Sequence, residues 1–383
     1  MTTMKSPLGR RREYRIALSV LMIAGLILLS PAAGCSLFKK EKKVYEKHSA
    51  TKKPKAVTCP LCGTVVSDAA TVKRRPIAVK VENDPKARPQ SGLDRACLVY
   101  EETTEGGITR FMPLYLCREA DQIGPVRSAR PADIDIVYPF YALFAHCGGG
   151  TPTLQMIKEA GICDLDEFAW AGAYWRTHDR RAPHNLYSST QRLRTAGDSA
   201  YLFQGEVSSP FKFLSASGIK KMERERQQEQ QRAQEATQQS ASNQYQPLIA
   251  VVNQISIPYT RVCAVRYSYD PATGRFLRFV AGVSHTDLTT GVQLAADTVI
   301  VQYITEGSSG MRDVRGAETP MLGIIGSGRA QVFMMGQLID ANWIKSSREE
   351  HTRYLDNSGE EIPIKPGSTW IELVPATKQV SIL

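Results

Sequence analysis

Apolar residues along this chain come in short runs broken by glycine, proline and charge, with two exceptions. Ile16 to Leu29 is one continuous apolar stretch, and Met222 to Gln246 holds almost no large apolar side chain. Between them, Pro76 to Val81, Ala96 to Glu102 and Ile108 to Cys117 read as strands, with Glu105-Gly106-Gly107 as a hairpin turn between the last two. Asp133 to Phe144 fits a helix running into a strand near Ala145, and Thr153 to Ala160 a helix stopped by Gly161. Beyond 247 the runs are β-like: Leu248 to Val252, Arg261 to Tyr269, Arg275 to Val280, Val299 to Thr305, Ala330 to Met335 and Thr369 to Val374, with a turn at Asp270 to Gly274. The pattern predicts an α+β chain, with a mixed α/β N-terminal domain over 71–215 and a mainly β C-terminal domain over 247–383. Residues 216–246 form a Gln/Glu-rich linker, helical in its first half and disordered later. A polar helix with no apolar stripe is not expected to pack on a core.

Arg10, Arg11, Arg12 and Arg15 precede the long apolar run, and Ser30-Pro31-Ala32-Ala33-Gly34-Cys35 follows it. A basic start, an apolar core and small residues at its end describe a secretory signal over 1–34. The run is shorter than the ~20 residues of a spanning helix. Ala32-Ala33-Gly34-Cys35 resembles a bacterial lipobox, with Ala32 where Leu is usual. That implies lipidation of Cys35 and a place on the outer face of the cytoplasmic membrane. Residues 35–70 are expected as a flexible basic tether, whose lysines between Lys39 and Lys55 would favour anionic headgroups or act as a solvated spacer.

Charge and cysteine content narrow the classes. Residues 1–55 hold 13 Lys and Arg against 3 Asp and Glu, which accounts for the whole net charge of +10 and leaves 35 of each sign in the rest. No basic surface for nucleic acid is indicated. Of eight cysteines, seven remain if Cys35 is lipidated, too many by one for pairing within the chain. Cys59-Pro60-Leu61-Cys62-Gly63 looks like half a zinc knuckle, but a structural zinc needs four ligands and the sequence offers no second such pair. No metal and no cofactor are expected. Cys97 and Cys263 sit in apolar contexts that suit small buried hydrophobes.

The candidate chemistry lies on loops at the ends of apolar runs. Arg127 and Arg130 flank Ser128-Ala129, with Arg88 and Arg110 on neighbouring segments, and arginine forks bind carboxylate or phosphate. Gly148-Gly149-Gly150 precedes a helix whose start could hold an anion; the Walker lysine is absent. The expected ligand residues are Asn83, Arg88, Arg110, Arg127, Ser128, Arg130, Gly149 and Asn185. The opposing reading is internal ion pairing of Arg127 or Arg130 with Glu101, Glu105 or Asp133. Glu82, Glu101, Glu102 and Glu105 raise a two-carboxylate hydrolase, and His146 and His184 are general-base candidates. The catalytic candidates are therefore Glu101, Glu105, His146 and His184. Glu101 and Glu102, adjacent on a strand, face opposite ways. Ser284 to Asp287 and Gly326 to Arg329 read as structural turns.

Several blocks together resemble the YerB-like bacterial lipoproteins. They are Arg88 to Leu93, Glu105 to Phe111, Ile123 to Pro131 and Ala182 to Tyr187, then Val301-Gln302-Tyr303, Gly326-Ser327-Gly328 with Val332-Phe333, and Ile362 to Trp370. The resemblance covers roughly 59–215 and 247–376. The family looks like Pro-Leu-Thr-Gly where this chain has Pro60-Leu61-Cys62-Gly63, which tells further against a metal. It implies an anchored envelope protein with no assigned reaction. The expectation is a lipid-anchored protein binding an anionic envelope ligand, such as a peptidoglycan or anionic-polymer fragment. A hydrolase or transferase acting on cell-wall polymers and a protein-binding envelope scaffold are the alternatives.

Overall fold

A computed structural model describes residues 56–201, 206–238, 248–313 and 316–383. The signal, Cys35 and the lysine run to Lys55 lie outside the described residues. The N-terminal half supplies strands β1 (Ile77–Val79), β2 (Val81–Glu82), β3 (Leu98–Thr103), β4 (Thr109–Tyr115), β5 (Leu143–His146), β6 (Cys163–Asp166), β7 (Trp175–Arg176) and β8 (Leu186–Tyr187). Its helices are α1 (Pro131–Val137), α2 (Thr151–Glu159) and α3 (Thr190–Ala200), followed by α4 (Ala216–Gln238). The C-terminal half is strands: β9 (Ala250–Val251), β10 (Gln254–Ile257), β11 (Val265–Asp270), β12 (Arg275–Val280), β13 (Val283–Ser284), β14 (Ala295–Ala296) and β15 (Thr298–Arg312). Then come β16 (Glu318–Gly323), β17 (Gly326–Met334), β18 (Gln337–Lys345), β19 (Arg353–Leu355), β20 (Thr369–Pro375) and β21 (Ser381–Ile382). The fold class is α+β.

One large sheet is built by both halves, in the order β19-β18-β17-β15-β20-β3-β4-β1-β5-β6. The halves join where β20 runs parallel to β3, from Thr369 beside Leu98 to Glu372 beside Glu101. Side chains alternate across the strands. Leu98 and Tyr100 enter a core shared with Ile134, Val137 and Ile157 of α1 and α2. Val99 and Trp370 enter the opposite core, shared with Ile255, Tyr267 and Phe276 of a smaller sheet, β13-β12-β11-β10-β21 with β14 on β12.

Three local expectations change. The polar stretch after 216 is a packed helix: Ile219 and Met222 lie against the core, Gln337 Nε2 donates to the Met222 carbonyl at 2.6 Å, and the Arg226 guanidinium lies 4.4 Å from the Tyr269 ring centre. Long polar side chains cover apolar surface with their stems, which a purely apolar count overlooks. Gly326 to Arg329 begins β17 rather than forming a turn. Residues 56–70, placed with the tether on sequence grounds, include Cys59, Leu61 and Cys62 at zero exposure. The missing partners of the Cys59/Cys62 pair are Cys97 and Cys117, and the four Sγ atoms lie within 4.8 Å of one another. The sequence offered no second ligand pair, but the β3–β4 hairpin brings to the first pair two cysteines that carry no common spacing motif.

Two buried ionic networks sit on either face of β3, as the opposed directions of Glu101 and Glu102 require. Arg278, from the small sheet, reaches Glu101 and, at 2.8 Å, Glu372; Tyr267 and Tyr259 donate to Glu372 at 2.6 and 3.0 Å. The Arg278 Nε donates to His285 Nδ1 at 3.1 Å, so His285 Nε2 carries the proton and donates to Gln90 Oε1 at 2.7 Å. On the other face, Lys80 bridges Glu102 and, at 2.5 Å, Asp133. Each network sets two carboxylates against one cation. Burial pushes Glu101 up to about 8, and burial with the Asp133 charge pushes Glu102 up to about 8.

Around pH 6 each network therefore holds a proton that its two carboxyls share in the fold and that the unfolded chain has lost. The unfolded chain binds fewer protons there, so stability falls as pH rises from about 4.5 to about 8. Urea unfolding of wild type at pH 5 and pH 8.5 is expected to show a loss on the order of a few kcal/mol. Glu102→Gln, which removes one of the two titrations, is expected to shrink that loss.

Candidate functional site

The site is built at the end of β2 and β4, where Glu82 lies opposite Arg110. The segment Pro125 to Arg130 threads beside them as an irregular extended stretch. Glu82 N donates to the Pro125 carbonyl at 2.9 Å, Arg127 N to Lys80 O at 2.9 Å, and Ala129 N to Gly148 O at 2.9 Å. These backbone bonds fix where the arginines emerge. Pro131 starts α1, and the Asp133 carboxylate accepts from Arg130 N at 2.6 Å, so the chain turns into the helix directly after the motif.

Arg130 grips Glu105 through Nε and Nη2, the latter at 2.6 Å, and donates to the Ala129 carbonyl at 2.8 Å. Thr319 of β16 donates its hydroxyl to the same carboxylate at 2.5 Å. Burial alone would raise Glu105, but Arg130, Thr319 and Arg110 outweigh it and hold this carboxyl down at about 2. Arg110 donates to Ser128 O at 2.5 Å and lies between Arg130 and Arg127; burial, then these two like charges, lower its pKa. The expected pairing of Arg130 with Glu105 is therefore present, and it forms the floor of the site.

Above it stands a second set around Glu82. Its carboxylate takes Arg127 Nε at 3.1 Å on one oxygen and His184 Nδ1 at 2.9 Å on the other. Glu82 is nearly closed off, while the side chains of Arg127 and His184 are 25% and 17% exposed. Among the described residues, the Arg127 guanidinium, His184 Nε2 and the half-buried Ser128 hydroxyl have no hydrogen-bond partner, the Arg127 Nε contact with Glu82 being an ion pair without hydrogen-bond geometry. The chemistry presented is a guanidinium beside an imidazole nitrogen, the first ion-paired and the second hydrogen-bonded to one buried carboxylate.

The other residues expected at the site lie elsewhere or are occupied. Asn83 is fully buried, donating to Glu101 and Thr109 and accepting from Arg88 and Gln90. Arg88 reaches the Val262 carbonyl at 2.8 Å and so joins the two halves. Asn185 accepts from Arg176 and donates to Thr177 O. The amide of Gly148 is bonded to Asp166 at 2.7 Å, and Gly149 pairs with Ala129 as packing beside the motif. Glu101 is enclosed with Arg278. His146 is enclosed too, with both ring nitrogens facing acceptors, Asp164 and the Gly148 carbonyl. Burial opposes its charge but these acceptors prevail and raise its pKa, and its role is structural. Glu82 and Thr319 carry much of the site's geometry. Glu82 was visible as a strand-end carboxylate; Thr319 comes from a distant hairpin with no sequence mark.

Family models described as protein of unknown function (DUF3048) match twice, the N-terminal domain over residues 61–202 and the C-terminal domain over 255–371. The chain belongs to this YerB-like family. It is 27% identical over 358 residues to YerB of Bacillus subtilis (strain 168), which is named as a lipoprotein; the match covers 92% of this chain and 97% of that one. The crystal structure of the YerB protein from Bacillus subtilis superposes with a TM-score of 0.69 at 25% identity, covering 85% of this chain and 99% of that one. No helix among the described residues is long and apolar enough to cross a membrane. In this member of the YerB-like family the Arg127 to Arg130 block forms the wall between floor and rim.

The two arginines have separable roles. Arg130→Ala strands the buried Glu105 carboxylate and is expected to cost about 3 kcal/mol in urea unfolding. Arg127→Ala, at the open rim, is expected to cost under about 1 kcal/mol. Equal costs would contradict the division into floor and rim.

Proposed function

We propose that this is a lipid-anchored protein on the outer face of the cytoplasmic membrane. Its Arg127, Ser128 and His184 bind an anionic group, phosphate or carboxylate, of a cell-envelope polymer. The observation that carries this reading is the Arg127 guanidinium, ion-paired with Glu82 at 3.1 Å while none of its nitrogens makes a hydrogen bond among the described residues. A guanidinium with unused donors beside its counter-charge can offer two parallel hydrogen bonds to an oxyanion. Three arginines against two carboxylates, Glu82 and Glu105, leave the site net positive. The basic run before residue 56 and the likeness to a relative named as a lipoprotein support the anchored location.

A second reading has its own observation. Glu82 holds His184 by Nδ1 and leaves Nε2 outward, the arrangement that orients an imidazole for proton transfer. Acid–base turnover of the same ligand would use His184 rather than the enclosed Glu101, Glu105 or His146.

The test is co-sedimentation of the detergent-solubilised full chain with purified cell wall at low and high salt. Arg127→Ala is expected to weaken binding about tenfold, with wild-type binding falling as salt rises. Unchanged affinity in that variant would overturn the proposal and favour a protein-binding scaffold. Soluble wall fragments released by wild type and lost in His184→Gln would establish turnover.

A further inference from the structure

Four cysteines converge outside the site just described. Cys59 and Cys62 lie on a tight turn: Cys59 N donates to Thr64 O and Gly63 N to Cys59 O, both at 2.8 Å. Gly63 sits at φ +67, and a Cβ there would lie 2.5 Å from the Phe213 ring, so glycine is required. Cys97 precedes β3 and Cys117 follows β4. The register that pairs Leu98 with Leu114 brings both to the same end of the hairpin. Cys97 N is fixed by the Leu114 carbonyl at 2.8 Å. Cys62 Sγ and Cys97 Sγ lie 3.5 and 3.6 Å from Cys117 Sγ.

A tetrahedral zinc with Zn–S bonds of about 2.3 Å requires sulfurs about 3.8 Å apart. Cys62 and Cys97 stand close to that distance from Cys117, and all four sulfurs lie within 4.8 Å of one another. Cys59, Cys62 and Cys97 are closed to solvent, and Cys117 is half-buried. Sulfurs this close surround one ion rather than a multi-iron cluster, and a four-thiolate tetrahedron suits zinc, which such ligands hold more tightly than ferrous iron. The Arg118 guanidinium, donating to the Ala96 carbonyl at 2.9 Å, lies among the same sulfurs and supplies counter-charge.

We infer that Cys59, Cys62, Cys97 and Cys117 form a structural zinc site. Binding replaces four S–H protons by four S–Zn bonds and releases the protons, with no change of oxidation state. All four positions are protein ligands, so the site is closed and its role is mechanical. The Cys62 carbonyl accepts from Gly367 N at 2.8 Å and the Cys97 carbonyl from Thr369 N at 3.2 Å. The ion therefore fastens the first folded segment after the basic run to the seam where β3 meets β20.

The experiment is metal analysis of the full-length chain, expressed with zinc in the medium and purified in detergent without chelator. About one zinc per chain is expected, lost in Cys62→Ser and Cys117→Ser and retained in Cys263→Ser. Should the serine variants aggregate, cobalt-loaded wild type decides: the intense visible bands of a tetrahedral four-thiolate ion are expected. Wild type holding iron, or less than about 0.1 zinc per chain with no such cobalt bands, would overturn the site. Two disulfides among these four residues in non-reduced peptides would also overturn it.

Discussion

Arg278 is the constraint on which the arrangement of the two sheets depends. Glu101 and Glu372 are neighbours on parallel strands, so the register of β3 against β20 puts two carboxylates side by side on one buried face. Such a pair repels itself in a low dielectric. Arg278 enters from the small sheet between Trp370, Tyr267 and Phe111, its charge 4.5 Å from the centre of the Trp370 ring, and reaches both carboxylates. The same guanidinium fixes the tautomer of His285, and through it Gln90 and Asn83. One side chain thus sets the docking of the small sheet and the shape of the loop at 83–92. Asp287, accepting from Gly92 N at 2.6 Å, repeats the link a few residues away.

The candidate site inherits its precision from that frame. Glu82 is fixed by β2 against β4, and β4 by β3, whose other side is held to β20. The Arg130–Glu105–Thr319 floor again joins the two halves, because Thr319 is contributed by the long β15–β16 hairpin. What remains open is the rim, where Arg127 and His184 share one carboxylate and face outward. Rigid floor and available rim are what a loop-borne binding site on a fixed scaffold requires.

Much of this was legible in the residue pattern. The β3–β4 hairpin with its Glu105 to Gly107 turn, β12, β20 and α2 lie where alternation and glycine placed them, and the arginine motif does meet the glycine loop. The failures have common physical causes. Gln337 to Lys345 mixes polar and apolar residues because its faces are unequally covered, so β18 gave no clear period. Arg278 occupies the buried phase of β12 with Phe276 and Val280, but Leu277 and Phe279 make the opposite phase equally apolar. Long-range pairing hid the rest: nothing local in Cys97 and Cys117, or in Thr319, announces a partner far away in sequence.

The most direct test of the central claim is a double-mutant cycle in urea unfolding between Arg278→Met and Glu372→Gln. If Arg278 clamps the two sheets through this carboxylate, the two effects are strongly non-additive, with a coupling of about 2 kcal/mol. Additivity within about 0.5 kcal/mol, with both variants retaining near wild-type stability, would contradict the claim that this buried charge network holds the halves together.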